Sequence, residues 1–247
     1  MAAFRQNADL SATAAYWRDV TLVWKALLME TLTRNRPSFA NVLVKLSPGD
    51  RLIAEADAMA SMSASVEMST RWNGGFFAAV LKRIFGGESL FVNEFSSEKP
   101  AEVVLTQPLP GDIECIDLKG NTLFLQPGAF LACEPGVSLG LGWAGIASLV
   151  GGEGLFRLKV SGEGRLWFSS YGGIFTREIG SDEYIVDTGH LVGYEPSIHI
   201  RIGMPGGIFS SFFGGEGLVT KVRGPGKIYM QSRNFSALTA WVNAHLW

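Results

Sequence analysis

The sequence predicts an all-β protein made of three duplicated lobes, an expectation that rests on three observations. Glycine supplies 30 of 247 residues, about 12% against an average near 7%, which suits many tight turns between short strands. Apolar and polar residues alternate over short runs, the period of a half-buried strand. One motif also recurs. Gly86-Gly87-Glu88-Ser89-Leu90-Phe91 returns as Gly151-Gly152-Glu153-Gly154-Leu155-Phe156 and as Gly214-Gly215-Glu216-Gly217-Leu218-Val219, at separations of 65 and 63 residues. Each such unit leaves an apolar face unfinished, so three units placed around a pseudo-threefold axis with one shared core would bury it.

Taken in order, the chain begins with Tyr16, Val20, Val23, Trp24 and Leu27 at three- and four-residue steps, which predicts an N-terminal amphipathic helix packed on the body. The stretch from Thr33 to Pro37 ends it, so residues 1–36 form a helical extension. Arg18, Asp19 and Lys25 interrupt the apolar run, and no secretory signal core is present.

Lobe 1 spans residues 37–110. Ser47-Pro48-Gly49-Asp50 opens its first strand pair, and Val66 and Met68 alternate. Lobe 2 spans 111–172. Lys119-Gly120-Asn121 stands where the Ser47 turn stood, and Val137, Leu139 and Leu141 alternate as Val66 and Met68 do. Lobe 3 spans 173–234. Its Tyr194-Glu195-Pro196-Ser197-Ile198 matches Cys133-Glu134-Pro135-Gly136-Val137, and Ile198, Ile200 and Ile202 alternate in turn. Gly162-Glu163-Gly164 and Gly224-Pro225-Gly226 predict tight hairpins in lobes 2 and 3, with the longer polar stretch 96–100 in their place in lobe 1. A short helix from about Phe235 to Leu246 closes the chain in residues 235–247.

Composition excludes several function classes. With 47% apolar and 18% charged residues the chain is not disordered, and a net charge of −2 offers no field for a phosphate backbone, so no nucleic-acid partner is expected. The longest uncharged run, Pro135 to Gly152, starts with proline and is rich in glycine, which argues against a membrane span. Cys115 and Cys133 lack CxxC spacing and are too few for a disulfide framework, which favours a reducing, cytoplasmic location.

Six short motifs carry a family resemblance. They are Ala56-Asp57-Ala58-Met59, Gly87-Glu88-Ser89-Leu90-Phe91, Pro110-Gly111-Asp112-Ile113, Ser169-Ser170-Tyr171-Gly172, Val186-Asp187-Thr188-Gly189-His190, and Gly224-Pro225-Gly226 with Gln231. In this order, within Ser38 to Asn234, the chain resembles a family with three tryptophan-RNA-binding-attenuation-protein-like domains, which includes the mitochondrial altered-inheritance-of-mitochondria protein twenty-four. The resemblance implies β-sandwich lobes of double-stranded β-helix type, loosely suggests a scaffold role, and implies no reaction and no catalytic residue. RNA binding does not come with the fold, because Lys and Arg are dispersed among acids rather than lining a groove with aromatic faces.

Three enzyme signatures in the sequence have plainer readings. Gly136-Val137-Ser138-Leu139-Gly140, followed by Asp187 and His190, has the Ser, Asp, His order of a hydrolase, but a nucleophile elbow needs a strand, a sharp turn and a helix. Ser138 instead sits inside an alternating run, and its repeat equivalents are Glu67 and His199. Histidine occurs only at His190, His199 and His245, without His-x-His spacing, so no metal site is expected. No Gly-Lys-Ser/Thr follows Gly-Gly-Glu, so it is not a phosphate loop and no cofactor is expected. Glu88, Glu153 and Glu216 are expected to accept backbone amides at a strand entry; the alternative is a carboxylate cluster at the axis.

The segments before each Gly-Gly-Glu are apolar where loops are normally polar: Phe76-Phe77-Ala78-Ala79-Val80-Leu81, Trp143 to Val150, and Ile208-Phe209-Ser210-Ser211-Phe212-Phe213. Burying one Phe or Leu contributes about 1.5–3 kcal/mol. These segments therefore either bury one another at one end of the axis or form a patch for a protein partner, a second copy of the chain or a membrane surface. The expected function is non-enzymatic binding or scaffolding through Phe76, Phe77, Trp143, Ile146, Phe209 and Phe212, in a homo-oligomer or with a partner. The alternative is an enzyme or small-ligand-binding protein with a pocket between lobes.

Overall fold

Short alternating runs separated by turn residues fold into strands, and the computed structural model describes them over residues 29–71, 92–126, 128–143, 156–203 and 219–246. A first strand, β1 (Glu30–Arg34), precedes three sets of six. The first set is β2 (Asn41–Leu46), β3 (Arg51–Glu55), β4 (Met59–Met62), β5 (Glu67–Arg71), β6 (Val92–Ser96) and β7 (Ala101–Thr106). The second is β8 (Ile113–Asp117), β9 (Thr122–Leu125), β10 (Phe130–Cys133), β11 (Val137–Trp143), β12 (Phe156–Gly162) and β13 (Arg165–Ser169). The third is β14 (Ile174–Ile179), β15 (Tyr184–Asp187), β16 (Leu191–Tyr194), β17 (His199–Gly203), β18 (Val219–Arg223) and β19 (Gly226–Gln231), followed by helix α1 (Phe235–His245).

One antiparallel pairing order serves all three sets. The first strand pairs with the sixth and the sixth with the third. The second pairs with the fifth and the fifth with the fourth. The third strand carries a bulge in every set, between Met59 and Ser61, between Phe130 and Ala132, and between Leu191 and Gly193.

Two seams stitch the sets together. β10 pairs with β3 through Ala132↔Ala54 and Cys133↔Ile53, and β16 pairs with β9 through Gly193↔Leu125 and Tyr194↔Phe124. The result is two six-stranded sheets, β5-β6-β3-β10-β13-β8 and β11-β12-β9-β16-β19-β14, flanked by β1-β2-β7-β4 and β15-β18-β17. None of these described sheets closes into a barrel.

Most consecutive strands lie in opposite sheets, which corrects the hairpin expectation. Gly162-Glu163-Gly164 carries the chain from β12 in one sheet to β13 in another, and Gly224-Pro225 does the same from β18 to β19. Crossing there requires a close approach: Gly162 adopts φ +123°, and a Cβ on it would meet the Gly136 carbonyl oxygen at 2.3 Å.

The described apolar side chains form three clusters rather than one core shared at an axis. The first combines β2, β3 and β7 residues with Ile113, Leu131, Ala132 and Trp167 of the second set. The second combines Phe130, Leu158, Val160, Leu166 and Phe168 with Val192 and Tyr229 of the third set. The third gathers Ile179, Val186, Ile198, Val222 and Ile228, with Phe124 packed against it. Trp167, Phe95, Phe130 and Phe168 are fully buried, each contributing a few kcal/mol of transfer free energy.

The end of the predicted helical extension is extended instead. Glu30-Thr31-Leu32-Thr33-Arg34 pairs with β2 in full register from Glu30↔Lys45 to Arg34↔Asn41. Its alternating threonines favour a pleated surface, and the Glu30–Lys45 ion pair at 2.9 Å spans the two strands. The helix expected over Tyr16 to Leu27 lies outside the described residues.

Candidate functional site

The apolar segments singled out above all join the fourth strand of a set to its fifth. Their flanks are described: pairing runs up to Arg71↔Val92, Trp143↔Phe156 and Gly203↔Val219. Phe76, Phe77, Ile146, Phe209 and Phe212 lie outside the described residues, as do Glu88, Glu153 and Glu216 with the Gly-Gly-Glu motifs. The backbone of Trp143 ends β11.

The hydrolase-like residues take unrelated places. Ser138 is exposed on β11 opposite Ser161. His190 Nδ1 lies 2.7 Å from the Gln231 carbonyl oxygen, and its Nε2 is 3.8 Å from Asp187 Oδ2. No described hydrogen bond joins Ser138 to His190. Asp187 accepts the Gly189 amide at 3.1 Å, capping the short 3-10 turn Thr188–His190.

Gly189 is needed for space, since a Cβ there would stand 2.4 Å from the Asn234 side-chain nitrogen. Asn234 in turn caps α1 by accepting the Ser236 and Ala237 amides at 2.9 and 3.3 Å. The motif from Val186 to His190 therefore fastens the start of the last helix.

The three histidines do not converge. His199 is exposed on β17 opposite Arg223, and His245 Nδ1 contacts the Trp241 carbonyl oxygen at 2.7 Å within α1. No group of three His, Cys, Asp or Glu among the described residues is arranged to hold a metal. Burial pushes the Cys133 thiol up to about 12 and the Cys115 thiol up to about 11, so neither supplies thiolate near neutral pH.

An open cleft of about 260 Å³ is lined by Met29, Gly49, Asp50, Arg51, Glu134 and Pro135. Its carboxylates are already engaged. Asp50 accepts the Ser47 amide at 2.8 Å, while Glu134 accepts the Arg165 backbone amide at 2.7 Å and its Nη2 at 2.7 Å. Arg165 Nη2 also donates to the Met29 carbonyl at 2.6 Å, and its guanidinium lies 5.1 Å from the centre of the Trp167 ring.

This arrangement gives the repeated Glu-Pro motif a role that sequence reasoning missed. In all three sets the residue after the third strand accepts a backbone amide of the sixth: Ser63 from Glu102 at 3.0 Å, Glu134 from Arg165 at 2.7 Å, and Glu195 from Lys227 at 2.9 Å. The seam residues were also missed. Phe124 stacks on Tyr194 with ring centroids 5.3 Å apart, and Cys133, fully buried, opposes Ile53.

Gln231 and Asp112, both within the resemblance motifs, are buried polar anchors. Gln231 accepts the Tyr171 amide and donates to the Gly189 carbonyl, each at 2.9 Å. Asp112 receives Arg36 Nε at 2.7 Å, and this pair, with Glu114, holds the Arg36 guanidinium more firmly protonated than usual. No described helix is long and apolar enough to cross a membrane.

Comparison with known proteins is consistent with this architecture. An uncharacterised protein of Streptococcus pyogenes serotype M6 is 26% identical over 216 residues, covering 84% of this chain and 87% of the relative. A crystal structure of a Streptococcus pyogenes protein superposes with a TM-score of 0.72 at 26% identity, over 89% of this chain and all of the other. The family model described as mitochondrial biogenesis AIM24 matches residues 32–233, from within β1 to just past β19, and the chain belongs to that family.

Proposed function

We propose that the protein is a non-enzymatic binding or scaffold protein of three fused lobes, near 37–110, 111–172 and 173–234. The lobes are of tryptophan-RNA-binding-attenuation-protein type, repeated about a pseudo-threefold axis that stays open between β4 and β15 among the described residues, and they associate through apolar connections at one end. The recurrence of one pairing order in three sets supports the duplication. The observation that carries the function is the common attachment of the three apolar segments, each bridging the fourth and fifth strands of its set. A protein partner, a second copy or a membrane surface in the cytoplasm would meet that end.

Phe77→Asp and Phe212→Asp test this reading. Inside a closed core each places an unpaired carboxylate among apolar groups and destabilises the fold by several kcal/mol. At an association surface the melting transition survives while binding is lost. Thermal unfolding is measured beside size-exclusion chromatography, vesicle co-sedimentation and pull-down. Collapse of the melting transition without a folded, non-binding species rejects the proposal.

A further inference from the structure

We infer that the protein assembles head to tail, with the free edge of β15 in one copy pairing with the free edge of β4 in another. This rests on the pairing order and not on the apolar connections. Each internal seam joins the third strand of one set to the second strand of the set before it: β10 to β3, and β16 to β9. The chain therefore holds one unused third strand, β4, and one unused second strand, β15. Both are edge strands with no partner on that side among the described residues.

The register carries over residue by residue. The three bulges align Ser61 with Ala132 and Gly193, and Met62 with Cys133 and Tyr194. Pairing with the fifth strand aligns Ile185, opposite Lys221, with Ile53, opposite Glu94, and with Phe124, opposite Lys159. The missing seam is thus Met62↔Ile185 with Ser61↔Val186 beside it. Its central pair is apolar, as Cys133 with Ile53 and Tyr194 with Phe124 are.

Exposure marks the same residues. Met62 is 37% and Ile185 46% exposed, whereas Cys133 is at 0% and Tyr194 at 9%. The backbone faces outward at the right place. Ser63 donates its amide back to the Glu102 carbonyl at 2.9 Å, as Glu134 does to Arg165 and Glu195 to Lys227. The preceding residue, Met62, accordingly turns its N–H and C=O to the open side, because alternate residues of a strand face opposite neighbours.

An edge of unpaired amides and carbonyls invites another strand. A second copy is the occupant to which the geometry points, since this chain already pairs these two strand types twice, in this register. The contact is heterologous, so it builds a ring or a filament rather than a simple dimer.

Sedimentation velocity on the full chain tests the inference, using Met62→Pro and Ile185→Pro. Each removes one outward N–H from an edge strand, where proline is tolerated. Wild type is expected to form species larger than a dimer with rising concentration, each variant alone to remain monomeric, and an equimolar mixture of the two to stop at a dimer. Met62→Lys and Ile185→Lys repeat the mixing should a proline variant lose its β circular dichroism. Phe77→Asp leaves the assembly unchanged. A wild type that stays monomeric at every concentration overturns the inference, as does wild-type assembly in both edge variants. Loss of assembly in Phe77→Asp with retention in Ile185→Pro also overturns it, and leaves the proposed function standing.

Discussion

Raising the pH from 8 to 10 is expected to weaken the fold through one thiol. Cys133 is fully buried at the seam with β3, and burial, with Glu134 beside it, lifts its thiol from 9.0 to about 12. Below pH 9 both folded and unfolded chains keep the proton, so Cys133 adds no pH dependence. Above it the unfolded chain releases the proton and the folded one retains it. Stability then falls by about 1.4 kcal/mol per pH unit, until the folded thiol itself ionises. At pH 10, one unit above the unfolded value, the loss is about 1.4 kcal/mol. Cys115, partly exposed and raised to about 11, adds to the loss in the same direction. Urea unfolding at pH 8, 9 and 10 measures it in wild type and Cys133→Ala. The variant starts less stable, having lost buried volume, and between pH 8 and pH 10 its stability declines by about 1.4 kcal/mol less than that of wild type. Parallel declines in the two proteins refute the assignment.

Gly111→Ala is expected to destabilise by several kcal/mol, since its Cβ would lie 1.8 Å from the Ser170 carbonyl oxygen; thermal unfolding reads the loss directly. Asn234→Ala removes the cap of α1 and costs about 1 kcal/mol, seen as faster amide exchange within the helix while the β clusters keep their protection. Ser138→Ala changes stability by less than about 0.5 kcal/mol and leaves any measured activity intact, because the hydroxyl is exposed and its side chain holds no described hydrogen bond. A drop in activity in that variant, with unchanged melting, would contradict the structural reading of the motif.

Much of the strand content was legible from alternation: Val137 buried, Ser138 exposed and Leu139 half-buried are the sequence pattern made solid. The start of α1 was legible too, at Phe235. The sheet each strand joins was not, because a hairpin and a crossing between sheets have the same period of two on either side of the turn. β1 was missed because Glu30-Thr31-Leu32-Thr33-Arg34 follows a helical pattern directly, leaving only its two β-branched threonines as a signal. The seams were hidden for a different reason. Ile53 with Cys133 and Phe124 with Tyr194 occupy matching places yet share no residue type, so only the pairing brings them into line. The Glu134 and Glu195 motif stood out as a repeat, but its duty to a distant backbone amide depends on a partner about thirty residues on.

The sharing of side chains between neighbouring sets sets a timetable for the nascent chain. The cluster inside β2, β3 and β7 lacks its floor until Leu131, Ala132 and finally Trp167 have been synthesised. The next waits in the same way for Val192 and Tyr229. Synthesis must therefore run about sixty residues past the end of each of the first two sets before its cluster can close, and until then the growing chain carries one half-roofed layer of apolar surface. Only the last set, which borrows Phe124 from a strand made long before, can close as soon as it appears.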